Sequence, residues 1–467
     1  MNKTKVIATV GPSSNDKETI KSLILNGVDC IRINSSYASY SFCNEIKSIV
    51  DELNKELKTY VSIMLELKGD KIRIGKVLND VAFLKYEDKI RVYTSKVIGD
   101  STKFSIEYPN LVNIVSLGSI LKIDDGNVLL KVLDIENDYL LCKVIKDGII
   151  ATNKSVSLSG IKKESPYLKD ADKEIIKYAS DSNIDFLSLP SVRTEEDILE
   201  VNDLLINLGN DHIQIISKIE NIDAVNSIDS ILKVSDGVII SRNALGCEVQ
   251  IEKIPGIQKS IIKKCNEKGI ISIVSSDLFV NMSSTYSPTK SEISDIASSV
   301  LDGVSAIMLG SETAISKYPI DSLKILERTI KYALEDRDNK IILNNSDNDT
   351  TSNLLYSVAV CADNLKCKAI FAPTITGFTA RKISACKPNC PILAISPEMD
   401  TVKSLSLNFG VYPVLISELK SFDAIIEVSR KIALDYLKLK KGDIIIITGG
   451  YPFKKTRHTN FIKIEEL

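Results

Sequence analysis

Arg32 and Asn34 stand two residues apart at the end of one short β-branched run, and Lys218 and Glu220 repeat that spacing at the end of another. In an extended chain residues i and i+2 face the same way, so each pair can aim into one cavity. Arg73, shortly after Lys68 and Gly69, adds a further cation. Cations and a carboxylate converging on a cleft suit a phosphorylated, acidic small molecule held partly through Mg2+. Composition alone also allows a plainer reading of Lys218 and Glu220, as a structural ion pair on the rim of a barrel. The chain has only two histidines, His212 and His458, in unrelated surroundings, which leaves little material for a zinc site or a Ser-His-Asp triad.

Such pairs need rigid elements to hold them. Apolar, β-branched runs recur at 6–10, 30–34, 61–67, 185–189, 213–218, 237–241, 271–275 and 306–309, most followed by a helix-like stretch such as 17–26, 195–207 or 291–301. This alternation predicts parallel strands joined by crossover helices, and eight units favour a closed (β/α)8 TIM barrel, an α/β fold, over an open sheet. Barrel chemistry sits at the carboxyl ends of the strands, where both residue pairs fall. Residues 69–160 alternate apolar and polar positions and carry turn signals such as Asp124-Asp125-Gly126, which predicts a β lid domain inserted at the barrel mouth. A helix-like stretch at 320–334 leads into a tract rich in Asn, Asp, Ser and Thr, and strand-like runs at 369–373, 392–396, 411–416, 444–448 and 461–465 follow, with helical segments such as 422–437 among them. The expected organisation is a barrel from 1–68 and 161–335, a lid from 69–160, a linker at 336–352 and a C-terminal α/β domain from 353–467.

At 467 residues, with 44% hydrophobic and 26% charged positions, the chain reads as a folded multidomain protein. A net charge of −2 gives no pull toward nucleic acid or an anionic membrane, and no apolar run approaches the roughly 18 residues of a membrane span. Nine cysteines without a C-x-x-C pair, behind a polar opening Met1-Asn2-Lys3-Thr4-Lys5, suggest a reduced, cytoplasmic setting.

The order of motifs then carries a resemblance. Lys3-Thr4-Lys5-Val6-Ile7-Ala8-Thr9-Val10-Gly11-Pro12-Ser13-Ser14 is followed by Arg32-Ile33-Asn34-Ser35-Ser36, Lys68-Gly69-Asp70-Lys71-Ile72-Arg73, Asp124-Asp125-Gly126, Ile216-Ser217-Lys218-Ile219-Glu220-Asn221, Pro288-Thr289-Lys290-Ser291-Glu292 and Leu309-Gly310-Ser311-Glu312-Thr313-Ala314. The series covers nearly the whole chain and resembles the pyruvate kinase family. The resemblance implies phosphoryl transfer from phosphoenolpyruvate to ADP, with Mg2+ and K+ as cofactors and a tetrameric assembly. It implies that Arg32 contacts the transferred phosphoryl group, that Lys218 stabilises its charge and that the Ser276 hydroxyl belongs to the same centre. Asn34 and Ser36, with Glu66 in place of an aspartate, would form the K+ site. Glu220 would be one of two carboxylates on the divalent cation, and Arg73 with Lys154 would serve the nucleotide. In the C-terminal domain Thr374, Thr376, Gly377 and Thr379 resemble a loop that cradles an effector phosphate, although an ordinary helix cap fits the same residues.

Departures from the family pattern gather at the chemistry. The segment that usually reads Ala-Arg-Gly-Asp-Leu-Gly is Ser241-Arg242-Asn243-Ala244-Leu245-Gly246, so the second metal carboxylate has become Ala244 and a close-approach glycine has become Asn243. Leu67 replaces a threonine beside Glu66, Tyr37 a histidine, Pro190-Ser191 the usual Ser-Phe, and Ser275-Ser276-Asp277-Leu278 the usual Ala-Thr-Gln-Met. Asp277 brings a carboxylate near the missing one, but on an extended segment it is expected to point away. The chain is therefore expected to keep the fold, to hold Mg2+ and K+ weakly, and to act as a catalytically impaired regulatory or structural subunit, in homo-oligomers or in hetero-oligomers with active pyruvate kinase subunits. The alternative is a divergent, working enzyme with a rebuilt metal site.

Overall fold

The computed structural model describes residues 2–69, 72–106, 108, 111–124, 126–158, 166–210, 212–336, 349–418, 421–450 and 459–467. Asp70, Lys71 and Asp125, the lid's far boundary at 160–161, most of the 336–352 linker and the basic run Lys454-Lys455-Thr456-Arg457 lie outside them. Eight parallel strands, Lys5–Thr9, Cys30–Asn34, Ser62–Glu66, Phe186–Leu189, Gln214–Ile219, Gly237–Ser241, Ile271–Ser275 and Ala306–Leu309, close into a barrel in which each pairs with its neighbours in sequence. All but one or two terminal residues of each coincide with the β-branched runs, because those side chains suit a pleated surface buried on both faces.

Alternation along each strand sends one set of side chains to the surrounding helices and the other into the barrel. The inward set, including Ile7, Cys30, Met64, Phe186, Ile216, Ile239, Ile273 and Met308, forms an apolar plug. Packing there is tight enough that a Cβ on Gly237 would stand 2.7 Å from Ile216 Cδ1. Leu407 of the C-terminal domain belongs to the same cluster, and Ser406 Oγ lies 2.7 Å from Ser62 Oγ at the start of the third strand. The amino ends of the strands are thus closed by another domain, and their carboxyl ends remain for ligands.

Between the third and fourth barrel strands lies the insert. Its six-stranded sheet runs in the order Val156–Leu158, Ile120–Ile123, Val128–Ile135, Tyr139–Lys146, Lys89–Tyr93, Lys103–Ser105, and a two-stranded ribbon pairs Val81–Leu84 with Gly148–Ala151. It has its own apolar cluster, including Ile90, Phe104, Leu121, Leu130 and Leu140. Where the chain leaves the barrel, Asp172 Oδ1 accepts from the backbone N–H of Lys68 (2.9 Å) and of Gly69 (3.3 Å). Gly69 has φ +65°, and a Cβ there would stand 2.6 Å from Pro190 Cγ, so a glycine is required.

The C-terminal sheet has the order Val411–Leu415, Ile392–Ser396, Ala369–Pro373, Ile444–Gly449, Phe461–Glu466, parallel except for the last strand. No helix among the described residues is long and apolar enough to cross a membrane.

Candidate active site

Arg32, Glu66 and Lys218 lie two positions beyond Cys30, Met64 and Ile216 of the apolar plug, so alternation carries all three into the barrel at its carboxyl end. They meet there. Arg32 Nε and Nη2 donate to Glu66 Oε2 at 2.9 and 2.6 Å, and Arg32 Nη1 donates to Thr9 Oγ1 at 2.9 Å. Lys218 Nζ lies 3.2 Å from Glu66 Oε1 and 2.7 Å from Glu220 Oε1. Glu220 Oε2 accepts from the Ser191 N–H at 2.8 Å and from its hydroxyl at 3.3 Å. Glu66 is fully buried, and Arg32 and Lys218 are 7% and 6% exposed. Burial works against the Lys218 ammonium, but Glu220 and Glu66 more than offset it, so its pKa stands above the ordinary lysine value. The rim ion pair allowed by composition is therefore present, and it belongs to a larger network.

Glu66 is the residue whose part the sequence hides. Asn34 is its register partner on the neighbouring strand, which puts the three residues of the expected K+ site close together. Asn34 Oδ1, however, accepts from the Ser36 N–H at 3.0 Å, and the Glu66 side chain turns to Arg32 and Lys218. The only readable signal was the alternation that puts position 66 on the inner face with Met64.

The second-carboxylate region forms the first turn of the helix Arg242–Glu248. Ala244 offers no donor atom. Asn243 Nδ2 donates to Asp277 Oδ1 at 2.9 Å, and Arg242 donates to the Ser276 carbonyl through Nε (3.2 Å) and Nη2 (2.5 Å). This corrects the expectation that Asp277 points away. The seventh strand stops at Ser275, and Ser276 and Asp277 take left-handed conformations with φ +74° and +54°. Two such residues end the strand alternation and swing the Asp277 carboxylate toward Asn243. Among the described residues no group of three or more His, Cys, Asp or Glu is placed to hold a metal ion.

Arg73 and Lys154 come together within the insert. Arg73 pairs with Ser155 in an isolated bridge and donates through Nη1 to the Asn153 carbonyl at 2.7 Å, and Lys154 Nζ is 2.6 Å from Asp124 Oδ1. In the C-terminal domain Thr374 Oγ1 accepts from the Gly377 N–H at 2.9 Å, and Gly377, with φ +83°, caps the helix Phe378–Ala385. Thr379 Oγ1 lies 2.9 Å from Thr459 Oγ1, while Thr376 presents its carbonyl to Arg381 Nη1 at 2.9 Å. These contacts form a closed turn with an αL cap.

Comparison with known proteins follows the same lines. The family model for the pyruvate kinase barrel domain matches residues 1–323, and that for the pyruvate kinase alpha/beta domain matches 352–465. A pyruvate kinase of Clostridium perfringens is 35% identical over 474 residues, covering 100% of both chains. One from Sporosarcina psychrophila is 33% identical over 99% of this chain and 80% of its own. The crystal structure of a pyruvate kinase from Cryptosporidium parvum superposes with a TM-score of 0.92 at 29% identity, covering 100% of this chain and 96% of that one. With both family models matched in order, the barrel and the C-terminal sheet in place and the Clostridium perfringens relative aligned end to end, the chain belongs to the pyruvate kinase family.

Proposed function

We propose that this chain binds phosphoenolpyruvate and ADP at the carboxyl ends of its barrel strands but transfers the phosphoryl group poorly by itself, and serves in the cytoplasm as a regulatory or structural subunit beside an active pyruvate kinase. On this reading Arg32 and Lys218 face the phosphoryl group, with Ser276 nearby. Arg73 and Lys154 face the nucleotide, and Thr374, Thr376, Gly377 and Thr379 form the effector turn. Phosphoryl transfer depends on neutralising charge around an in-line displacement, which positioned cations and metal ions normally provide.

The observation that carries the reading is the state of the metal position. Glu220 is engaged by Lys218 and Ser191, the Ala244 side chain contributes no oxygen, and the Asn243 amide holds Asp277. One carboxylate, already paired with Lys218, stands where the family uses two, so these residues fit poorly to the divalent cation, which is held by one or two carboxylates with substrate oxygens and water. Nor does the Glu66 carboxylate, committed to Arg32 and Lys218, fit a monovalent-cation site with Asn34 and Ser36. Asp277 favours a second reading, a divergent working enzyme, because its carboxylate already meets Asn243, the residue before the lost carboxylate.

A coupled assay at saturating Mg2+ and K+ separates the two. The isolated chain is expected to turn over about 100-fold or more slowly than a relative with both carboxylates. A turnover number of roughly 1–10³ per second would reject impairment. For the assembly, Lys290 opens the helix Lys290–Leu301 on an exposed turn, where the family usually has an arginine reaching across a subunit contact. Lysine lacks the planar fork, so mixed assemblies with an active paralogue should exceed homotetramers in native mass spectrometry. Homotetramers that ignore the paralogue would reject the partner role.

A further inference from the structure

The Arg32–Lys218 seat is already filled by part of this chain. A guanidinium edge and an ammonium closing on two oxygens of one compact anion is the arrangement by which proteins grip phosphate, and here the anion is the Glu66 carboxylate. We propose that Glu66 is a tethered anion that occupies the seat between Arg32 and Lys218 and sets the affinity of this chain for phosphate monoesters there. The proposal rests on the reading that Arg32 and Lys218 form the phosphoryl seat.

Three observations support it. Charge comes first: among the described residues the two buried cations are met by two carboxylates, Glu66 and Glu220, so these four groups together carry no positive excess to draw a dianion out of water. Reach comes second. The resemblance implies an aspartate at position 66, and glutamate extends the carboxylate by one methylene, letting one side chain hold Arg32 and Lys218 together. Retreat is restricted as well. The Glu66 carbonyl accepts from the Ser35 N–H at 3.2 Å and from its hydroxyl at 2.5 Å, which pins the backbone, while the apolar plug containing Met64 fills the barrel below. An entering phosphate must therefore displace the carboxylate or lie against it, and like charges at that separation repel strongly in a buried site.

The test is calorimetric titration of inorganic phosphate into the full chain, in metal-free buffer at low ionic strength. In Glu66→Asp the carboxylate is withdrawn but kept, so folding is expected to survive and phosphate binding should tighten about tenfold or more, with Glu66→Gln tightening at least as much. Adding Arg32→Ala to Glu66→Asp should abolish the gain. Phosphate binding that is unchanged or weaker in Glu66→Asp would overturn the proposal, because Glu66 would then only hold the two cations in position. A gain that survives Arg32→Ala would overturn it too, by placing the phosphate elsewhere. Should both Glu66 variants fail to fold, the unaltered chain still decides: submillimolar phosphate binding that is lost in Arg32→Ala contradicts an occupied seat, and its absence supports one. Failure here is distinguishable from failure of the functional reading. Phosphate binding without metal does not depend on turnover, and a fast coupled assay would refute impairment while leaving the phosphate comparison to be judged alone.

Discussion

Replacing Lys218 with methionine removes an ammonium that stands between the buried Glu66 carboxylate and the largely buried Glu220 carboxylate. At an effective dielectric near 20, its attractions to Glu220 at 2.7 Å and to Glu66 at 3.2 Å are each about 5–6 kcal/mol before desolvation. Burial of the three groups consumes most of that sum, and the net cost of orphaning a buried partner is about 3–5 kcal/mol. Lys218→Met should therefore lower barrel stability by about that amount in urea unfolding followed by circular dichroism. Neutralising a carboxylate as well, in Lys218→Met with Glu220→Gln, should recover about half of the loss, since the orphaned charge causes it. Arg32 would still hold Glu66. A single-variant loss below about 1 kcal/mol would refute this reasoning, because the cluster would then behave like a solvent-screened surface pair. A double variant no more stable than the single would place the cost in lost packing.

Ala244→Asp should restore Mn2+ binding by titration more than it restores turnover, because Asn243 and Glu66 remain; adding Asn243→Gly should improve both, and full activity from Ala244→Asp alone would contradict the account. Burial, and then the nearby Asp29, push the Glu327 carboxyl up to about 7. Its native form keeps a proton that the unfolded chain releases, so stability should fall as pH rises from about 4.5 through 7, and Glu327→Gln should be the more stable chain at pH 8 by about 3 kcal/mol in thermal unfolding. A variant less stable than the parent at pH 8 would reverse that sign. Ser276→Gly should raise stability by about 1 kcal/mol by relieving a left-handed backbone, with no gain if the turn is held by contacts to its side chain.

The barrel was legible because its strands are written twice, once in β-branched composition and again in the inward-facing residues two positions apart. Arg32, Lys218 and Glu220 could be picked out on that second pattern, and the structure brings them together. The Asp277 direction was not legible. Left-handed conformations are signalled strongly by glycine and only weakly by asparagine or aspartate, so Asp277 was a faint signal and Ser276 none, and strand alternation was extended past its end. The pairing of Glu66 was hidden for a different reason: its partners lie on two other strands, and local spacing says nothing about how far one extra methylene reaches across a barrel.

Leu407 has a consequence for how this molecule comes apart. A barrel whose inner cluster is completed by a residue from the C-terminal domain cannot shed that domain without opening its own base to water. Ser406 and Ser62 would lose each other's hydroxyls at the same moment. Melting should therefore couple the two into one cooperative unit in scanning calorimetry, while the insert, with its separate apolar cluster, is free to melt by itself. A barrel cut away before residue 353 would expose an apolar well at the amino ends of its strands, and aggregation through that well is the expected fate of such a fragment.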